Sequence, residues 1–280
     1  MSHRISVITI CYNAAKLLPT TMESVLAQDY TDFEYIIQDG ASTDDSEKVI
    51  TSFKEKFESR NITFKYNREP DNGIYDAMNK AVVSADGNYI NFMNAGDCFY
   101  SGTVLTKVSE AMSDLPAVIY GDCVVYEFGR FFKYQKSLEQ IENMMPFSHQ
   151  SVFARSDLLR DHPFNTGYQF SADYDFLLTV HDLKERFADS GEVICLTTAD
   201  GLSSVKYHDT LMESAKIREA HGVLKETKEQ LARTEKILRL KQFVLDHFPL
   251  AVKKWIRNRQ IESRGQTFDA VVPSWFHDQI

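Results

Sequence analysis

Asn88–Asp97 reads NYINFMNAGD, and this stretch decides the fold. Tyr89, Ile90, Phe92 and Met93 form a short apolar run of β-branched and aromatic character, bounded by Asp86-Gly87 and Gly96-Asp97. That pattern predicts a buried strand ending in a tight turn. Asp97 then lies just past the carboxyl end of a strand, the edge at which open α/β sheets bind ligands. An acid released there can hold a divalent cation against a phosphate. Taken alone it reads as an ordinary turn aspartate, and its neighbours change that reading.

Upstream, Ile5–Ile10 (ISVITI) is a continuous apolar run, the mark of a strand covered on both faces. A helical pattern follows through Leu17, Leu18, Met22, Val25 and Leu26. Phe33–Ile37 is the second expected strand and ends in Gln38-Asp39-Gly40. Ala41–Asp45 then supplies cap residues for a helix with Val49, Ile50, Phe53 and Phe57 on one face. Ile62–Tyr66 is a third strand, Pro70–Gly73 a turn and Ile74–Val83 a helix. This alternation predicts a Rossmann-like, doubly wound, mostly parallel sheet of the α/β class. Right-handed crossovers bring successive strand ends to one edge, so Asp39 and Asp97 should face a common crevice.

After residue 100 the rhythm changes to α+β. Thr103–Met112 reads as a helix, Val118–Tyr120 and Cys123–Tyr126 as short strands, and Phe128–Tyr134 as an aromatic and basic stretch. His149-Gln150 leads into the apolar Ser151–Ala154, and Ser171–Asp175 opens a helix through Val180. Asp173 and Asp175 suit the macrodipole at that helix start; an acid there can also serve as a proton acceptor towards a cleft. Glu192–Thr197 is the last expected strand. The expected organisation is one domain over residues 1–207, with a nucleotide half (1–100) and an acceptor half (101–207), then a helical extension over 208–280.

In the extension Ile217, Leu224, Leu231 and Leu238 recur every seven residues, but the companion column Ala220, Thr227 and Thr234 is too polar for a strong zipper. A helix lying on its own domain is the first reading and a homodimer the second. Residues 236–259 carry Lys236, Arg239, Lys241, Lys253, Lys254, Arg257 and Arg259 against Asp246 alone. Ile237, Leu240, Val244, Phe248, Val252 and Trp255 share one side, with Pro249 breaking the helix. Such a segment suits peripheral contact with an anionic membrane surface or docking on the acidic body of the chain.

Composition excludes several classes. With 43% hydrophobic and 25% charged residues the 280-residue chain is a folded globular protein. A net charge of −9 argues against nucleic acid as a partner. Cys11, Cys98, Cys123 and Cys195 are widely spaced with no CxxC pair, and read as reduced thiols of a cytoplasmic protein. The N-terminus lacks the apolar region of a secretory signal, and no run approaches the ~18 apolar residues of a membrane span. Missing Walker, GxGxxG, GxSxG and HExxH motifs remove most nucleotide hydrolases, dinucleotide enzymes, serine hydrolases and zincins.

Six pieces occur in order over roughly residues 4–205: Val7–Asn13 (VITICYN), Ile37–Ser46 (IQDGASTDDS), Glu69–Ala81 (EPDNGIYDAMNKA), Phe92–Asp97 (FMNAGD), His149–Phe153 (HQSVF) and Ser171–Asp175 (SADYD). Together they resemble family 2 glycosyltransferases of the GT-A type, and DNGIYDAMNKA resembles bacterial enzymes that build capsule, exopolysaccharide or lipopolysaccharide. The resemblance implies that Thr9, Tyr12, Asn13 and Asp39 hold the nucleotide, Asp39 accepting from the base, usually uracil. It implies Asp71, Asn79 and Asn94 on the donor side, although helix packing accounts for Asn79 equally well. Asp97 matches the last acid of the DXD motif, which binds Mg²⁺ or Mn²⁺ at the diphosphate. The first acid is absent: Asn94-Ala95-Gly96 leaves Asp97 as the motif's one carboxylate.

Asp173 matches the catalytic base, with Ala172 where many members carry glutamate, and the resemblance implies that His149 and Gln150 border the acceptor pocket, although a histidine satisfied within its loop accounts for His149 equally well. The implied reaction is a single displacement that inverts the anomeric carbon. It takes a nucleotide-sugar donor, with UDP the expected nucleotide, to a glycan or lipid-linked acceptor at the inner face of the plasma membrane. The alternatives are a sugar-nucleotide-binding scaffold without catalysis, and a sugar-phosphate nucleotidyltransferase, whose Gly-rich basic loop is missing from CYNAAKLL.

Overall fold

Seven consecutive buried residues, Ile5–Cys11, form β1, the hub of a nine-stranded sheet. The computed structural model describes residues 4–134, 137–199, 206–247, 268 and 270–279. β1 pairs in parallel with β2 (Phe33–Asp39) and β4 (Tyr89–Phe92), and β2 pairs in parallel with β3 (Thr63–Arg68). Crossovers run through α1 (Leu18–Leu26), α2 (Ser46–Ser59) and α3 (Ile74–Ser84). The alternation of strand side chains splits the core in two. Val7, Tyr35 and Tyr89 face α1 and α2 with Met22, Ile50 and Phe53, whereas Ile8, Ile36 and Ile90 face α3 with Met78. A run apolar at nearly every position is what such a doubly covered strand requires.

The second half is built from β5 (Cys98–Phe99), α4 (Val104–Glu110), β6 (Val118–Glu127), β7 (Arg130–Tyr134), β8 (Val152–Arg155), α5 (Ser156–Asp161), α6 (Ala172–Asp182) and β9 (Phe187–Thr198). The strand order is β3-β2-β1-β4-β8-β6-β9-β5, with β7 paired to β6. β8 runs antiparallel to β4 and β6, so the parallel first half passes into a mixed second half at that strand. The two short strands expected over 118–126 are one strand, kinked by register shifts between Tyr120 and Cys123. The last strand begins at Phe187, well before Glu192. The aromatic and basic stretch folds back as a hairpin through Gly129, whose φ of 83° needs glycine.

The extension forms α7 (Tyr207–Ala220) and α8 (Lys228–His247). The seven-residue column does not lie on one helix, because the chain turns at Gly222 (φ 70°) and Leu224 falls in the connection. Ile217 is fully buried in the α3/α6 core, and Leu238 is 8% exposed. Half of the basic 236–259 segment, residues 248–259, lies outside the described residues. Among those described, no helix is long and apolar enough to cross a membrane. Near the C-terminus Phe276 is buried against Cys98, Val124 and Leu196, while Trp275 Nε1 donates to the Phe99 carbonyl at 3.0 Å.

α7 grips the segment that leads into α6. Glu213 accepts from the N–H groups of Gln169 (2.8 Å) and Phe170 (2.7 Å), and Ser214 Oγ meets Ser171 Oγ at 3.2 Å. His221 sits between Asp182 (2.7 Å) and Asp175 (3.0 Å) of α6. Burial alone would lower the His221 pKa, but bonds to Asp182 and Asp175 and their charges outweigh it, and the pKa is raised. Its contribution to stability is therefore complete below about pH 6.5 and is lost as pH rises through the raised folded-state value. In urea unfolding, wild type should exceed His221→Gln in stability by more at about pH 6 than at about pH 9. An equal gap at both pH values would remove the imidazolium from this contact.

Candidate active site

β4 ends at Phe92, but its backbone pairing runs on: Met93 N–H donates to Ile8 and Ala95 N–H to Ile10 at 2.9 and 3.3 Å. Gly96, with a φ of 99°, then turns the chain. Thr21 of α1 bolts this turn in place, its hydroxyl accepting from Gly96 N–H (2.9 Å) and donating to the Asp97 carbonyl (2.7 Å). The partly buried Asp97 carboxylate accepts from Gln150 Nε2 at 2.7 Å. Burial drives its pKa up to about 7, and the Gln150 bond offsets this only in part.

Gln150 lies in a 3₁₀ turn, His149–Ser151, that leads into β8. The turn is fixed from below by Asn91, a buried polar residue of β4 whose amide donates to the carbonyls of Gln150 and Val152, both at 2.9 Å. Adjacent His149 reaches from the Asn94–Asp97 turn to α6. Its Nε2 meets the Asn94 amide nitrogen at 3.0 Å, and its Nδ1 stands 3.6 Å from Asp173 Oδ2. Asp173, in the first turn of α6, accepts on Oδ1 from the Tyr75 hydroxyl (3.0 Å) and from Tyr174 N–H (3.0 Å). Asp97 and Asp173 thus converge on two neighbouring residues.

An apolar cavity of about 30 Å³, walled by Phe92, Met145, Phe164 and Phe176, lies against His149 and Asp173. Removal from water dominates both groups. It raises the Asp173 pKa against the opposing His149 charge and Tyr75 bond, and lowers that of His149 against the Asp173 charge.

The expected donor residues divide. Tyr12, 64% exposed, and Asp71 flank Gly40 at the ends of β1 and β2, and a Cβ on residue 40 would collide with Asp71 Oδ2. An exposed ring beside a carboxylate can stack a planar group and bond its edge. Asn13 instead organises the loop after β2. Held at φ 50°, it accepts on Oδ1 from Thr43 N–H at 2.8 Å.

Three of the expected donor residues are bonded within the chain. Thr9 is buried, and its hydroxyl is spent on the Met93 carbonyl (2.7 Å) and Tyr35 (2.8 Å), so it cannot reach a nucleotide. Asp39 lies at the shared edge, but its carboxylate is fully buried. It accepts from Ser42 N–H (2.9 Å) and from Tyr66 (3.0 Å), which makes it a loop anchor, not an open base contact. Asn79 is locked to both backbone groups of Phe164 at 2.8 and 2.9 Å, so it joins α3 to the second half of the chain.

Among the described residues no three His, Cys, Asp or Glu side chains converge as a metal site. Asn94 Oδ1 is, however, buried with no partner, an unused oxygen beside the loop's one carboxylate. Oxygen donors of this kind, completed by phosphate and water, suit Mg²⁺ or Mn²⁺. The residues therefore fit a cation held jointly with a diphosphate. Tyr75, Thr21 and Asn91 were not singled out from sequence. For Asn91 the signal was present: a polar side chain inside an apolar strand demands buried partners.

A sequence profile described as glycosyl transferase family 2 matches residues 6–177, from β1 into α6. The chain is 30% identical over 178 residues to the PGL/p-HBAD biosynthesis glycosyltransferase Rv2957 of Mycobacterium tuberculosis, covering 61% of this chain and 67% of that one. It superposes on S. aureus TarS 1-349 in complex with UDP with a TM-score of 0.63 at 20% identity, over 90% of this chain and 78% of that one. The mannosyltransferase PcManGT from Pyrobaculum calidifontis, in complex with GDP-Man and Mn²⁺, gives 0.61 at 18% identity, over 87% and 70%. The likeness to both structures is one of fold, and the fold is GT-A. With a family profile spanning the parallel half, the Asp97 turn and the first turns of α6, the chain belongs to glycosyl transferase family 2.

Proposed function

We propose that this glycosyltransferase transfers a sugar, with inversion, from a nucleoside-diphosphate donor to a hydroxyl of a glycan or lipid-linked glycan. UDP is the proposed nucleotide, and bacterial surface polysaccharide synthesis the proposed setting. One observation supports the reading above others: Gln150 bonds Asp97 while its neighbour His149 faces Asp173. A leaving diphosphate needs charge compensation and an attacking hydroxyl needs a base, and inversion needs them on opposite sides of one carbon.

In this reading the donor base lies over Tyr12 beside Asp71, and the diphosphate extends to the Asp97 turn. Asp97 would hold Mg²⁺ or Mn²⁺ there, and the cation would supply Lewis-acid stabilisation to the departing phosphate. Asp173 Oδ2 accepts the proton of the acceptor hydroxyl as that oxygen attacks the anomeric carbon. The C–O bond to the diphosphate breaks on the far side. Tyr75 keeps the other carboxylate oxygen still, and the apolar wall around Phe92 and Phe164 keeps water from competing with the acceptor. The basic 236–259 segment gives the enzyme an electrostatic reason to lie at an anionic inner membrane face, close to a lipid-linked acceptor.

Nucleotide sugars screened by thermal shift with Mn²⁺ should single out one donor class, because a ligand bound only by the folded state raises Tm by mass action. With that donor, NMR of the product should show the opposite anomeric configuration. A product that retains the donor's configuration would overturn the single displacement.

A further inference from the structure

We propose that Asn94 and His149 are a positioning pair for the base: the Asn94 amide holds the imidazole in its Nδ1–H tautomer, and that N–H keeps Asp173 Oδ2 turned into the crevice. The inference rests on Asp173 being the base. In the orientation the Asn94 amide has here, its Nδ2 lies 3.0 Å from His149 Nε2, and an amide nitrogen has only hydrogens to offer, so Nε2 is the acceptor. The ring proton is then on Nδ1. That atom stands 3.6 Å from Asp173 Oδ2, too far for a hydrogen bond but close enough for its positive end to act on the carboxylate.

The two Asp173 oxygens are not equivalent. Oδ1 is an anchor, held by the Tyr75 hydroxyl and Tyr174 N–H, whereas Oδ2 faces the imidazole and keeps its lone pairs for an incoming hydroxyl. The opposite tautomer would aim the Nδ1 lone pair at a carboxylate and push it away. The imidazole cannot follow, because Asn91 pins the backbone on either side of Ser151. Holding a catalytic imidazole in the wrong tautomer is known to cost orders of magnitude in rate.

This gives asparagine at position 94 a purpose that aspartate could not serve. A carboxylate has no hydrogen to donate, so it would demand a proton on Nε2 and either invert the tautomer or charge the ring. The departure from the two-acid motif then serves the acceptor side of the reaction, across the crevice from the leaving group.

Nitrogen NMR of the full chain labelled at histidine should show His149 as the Nδ1–H tautomer, its signals assigned by their loss in His149→Asn. Asn94→Asp should lose that signature. In kinetics, His149→Leu should lower the kcat of transfer by about 10- to 100-fold, a share of what a positioned base contributes, with the donor KM unchanged. His149→Asn puts an amide N–H near the Nδ1 position and should recover most of the loss. An Nε2–H tautomer in the wild type, or His149→Asn as slow as His149→Leu, overturns the pair. Full transfer by His149→Leu while Asp173→Asn is dead sinks this inference alone; full transfer by Asp173→Asn sinks the assignment of the base beneath it.

Discussion

Asp173→Asn should abolish sugar transfer while leaving donor affinity within about twofold of wild type, for a loss of ~10²- to 10⁴-fold in kcat. The substitution is nearly isosteric. The Tyr75 hydroxyl and Tyr174 N–H that now bond Oδ1 can bond an amide oxygen in the same place, so α6 and its packing on α3 are retained. What disappears is a lone pair able to take a proton. Burial raises the Asp173 pKa, which makes the carboxylate a stronger base than one in water, and an amide has no counterpart to that basicity. Calorimetry of the donor and steady-state transfer rates, measured on one preparation, separate the two effects. Donor binding that weakens while turnover survives would move Asp173 to the donor side and leave the reaction without its base.

How much of this was legible in the sequence follows from what each residue does. β1, β2 and β4 were readable because a strand covered on both faces has to be apolar almost throughout, and few other elements satisfy ISVITI or FEYII. Asp97 and Asp173 were readable as acids at a strand end and a helix start, places where a carboxylate can serve a ligand. β5 was not readable: two residues, Cys98 and Phe99, become a strand only because β9 arrives beside them from far along the chain.

The internal bonding of three expected donor residues was hidden for a related reason. Thr9, Asp39 and Asn79 carry polar groups in the right pieces of sequence, but a polar group can satisfy either a ligand or the protein's own backbone. The choice depends on neighbours distant in sequence. Asn79 spends its amide on Phe164, and Asp39 spends its carboxylate on Ser42 and Tyr66. Tyr75 shows the reverse case. It reads as an apolar position of α3, and only the arrival of α6 makes its hydroxyl part of the site.

Asp97→Asn should separate function from stability in opposite directions. It removes the one carboxylate of the Asn94–Asp97 turn, so Mn²⁺ should no longer strengthen donor binding, and transfer should fall about 10²- to 10³-fold, as when one electrostatic stabiliser of a leaving group is lost. Stability should rise. The folded-state pKa of Asp97 is pushed to about 7 from the ordinary 3.8, chiefly by burial. Between those values the folded chain keeps a proton that the unfolded chain has released. Stability of the metal-free protein therefore falls as pH rises across that window, and the full penalty stands above it.

Asparagine cannot ionise, can still accept from Gln150 Nε2, and escapes the penalty. Melting curves without metal should show Asp97→Asn level with wild type at about pH 4 and more stable by about 3 °C or more at about pH 8. Mn²⁺ should raise the wild-type Tm at the higher pH and leave the variant unmoved. A variant less stable than wild type at about pH 8 without metal would mean that the ionised carboxylate already has a compensating partner in the folded chain. The cation would then have no uncompensated charge to answer at this turn.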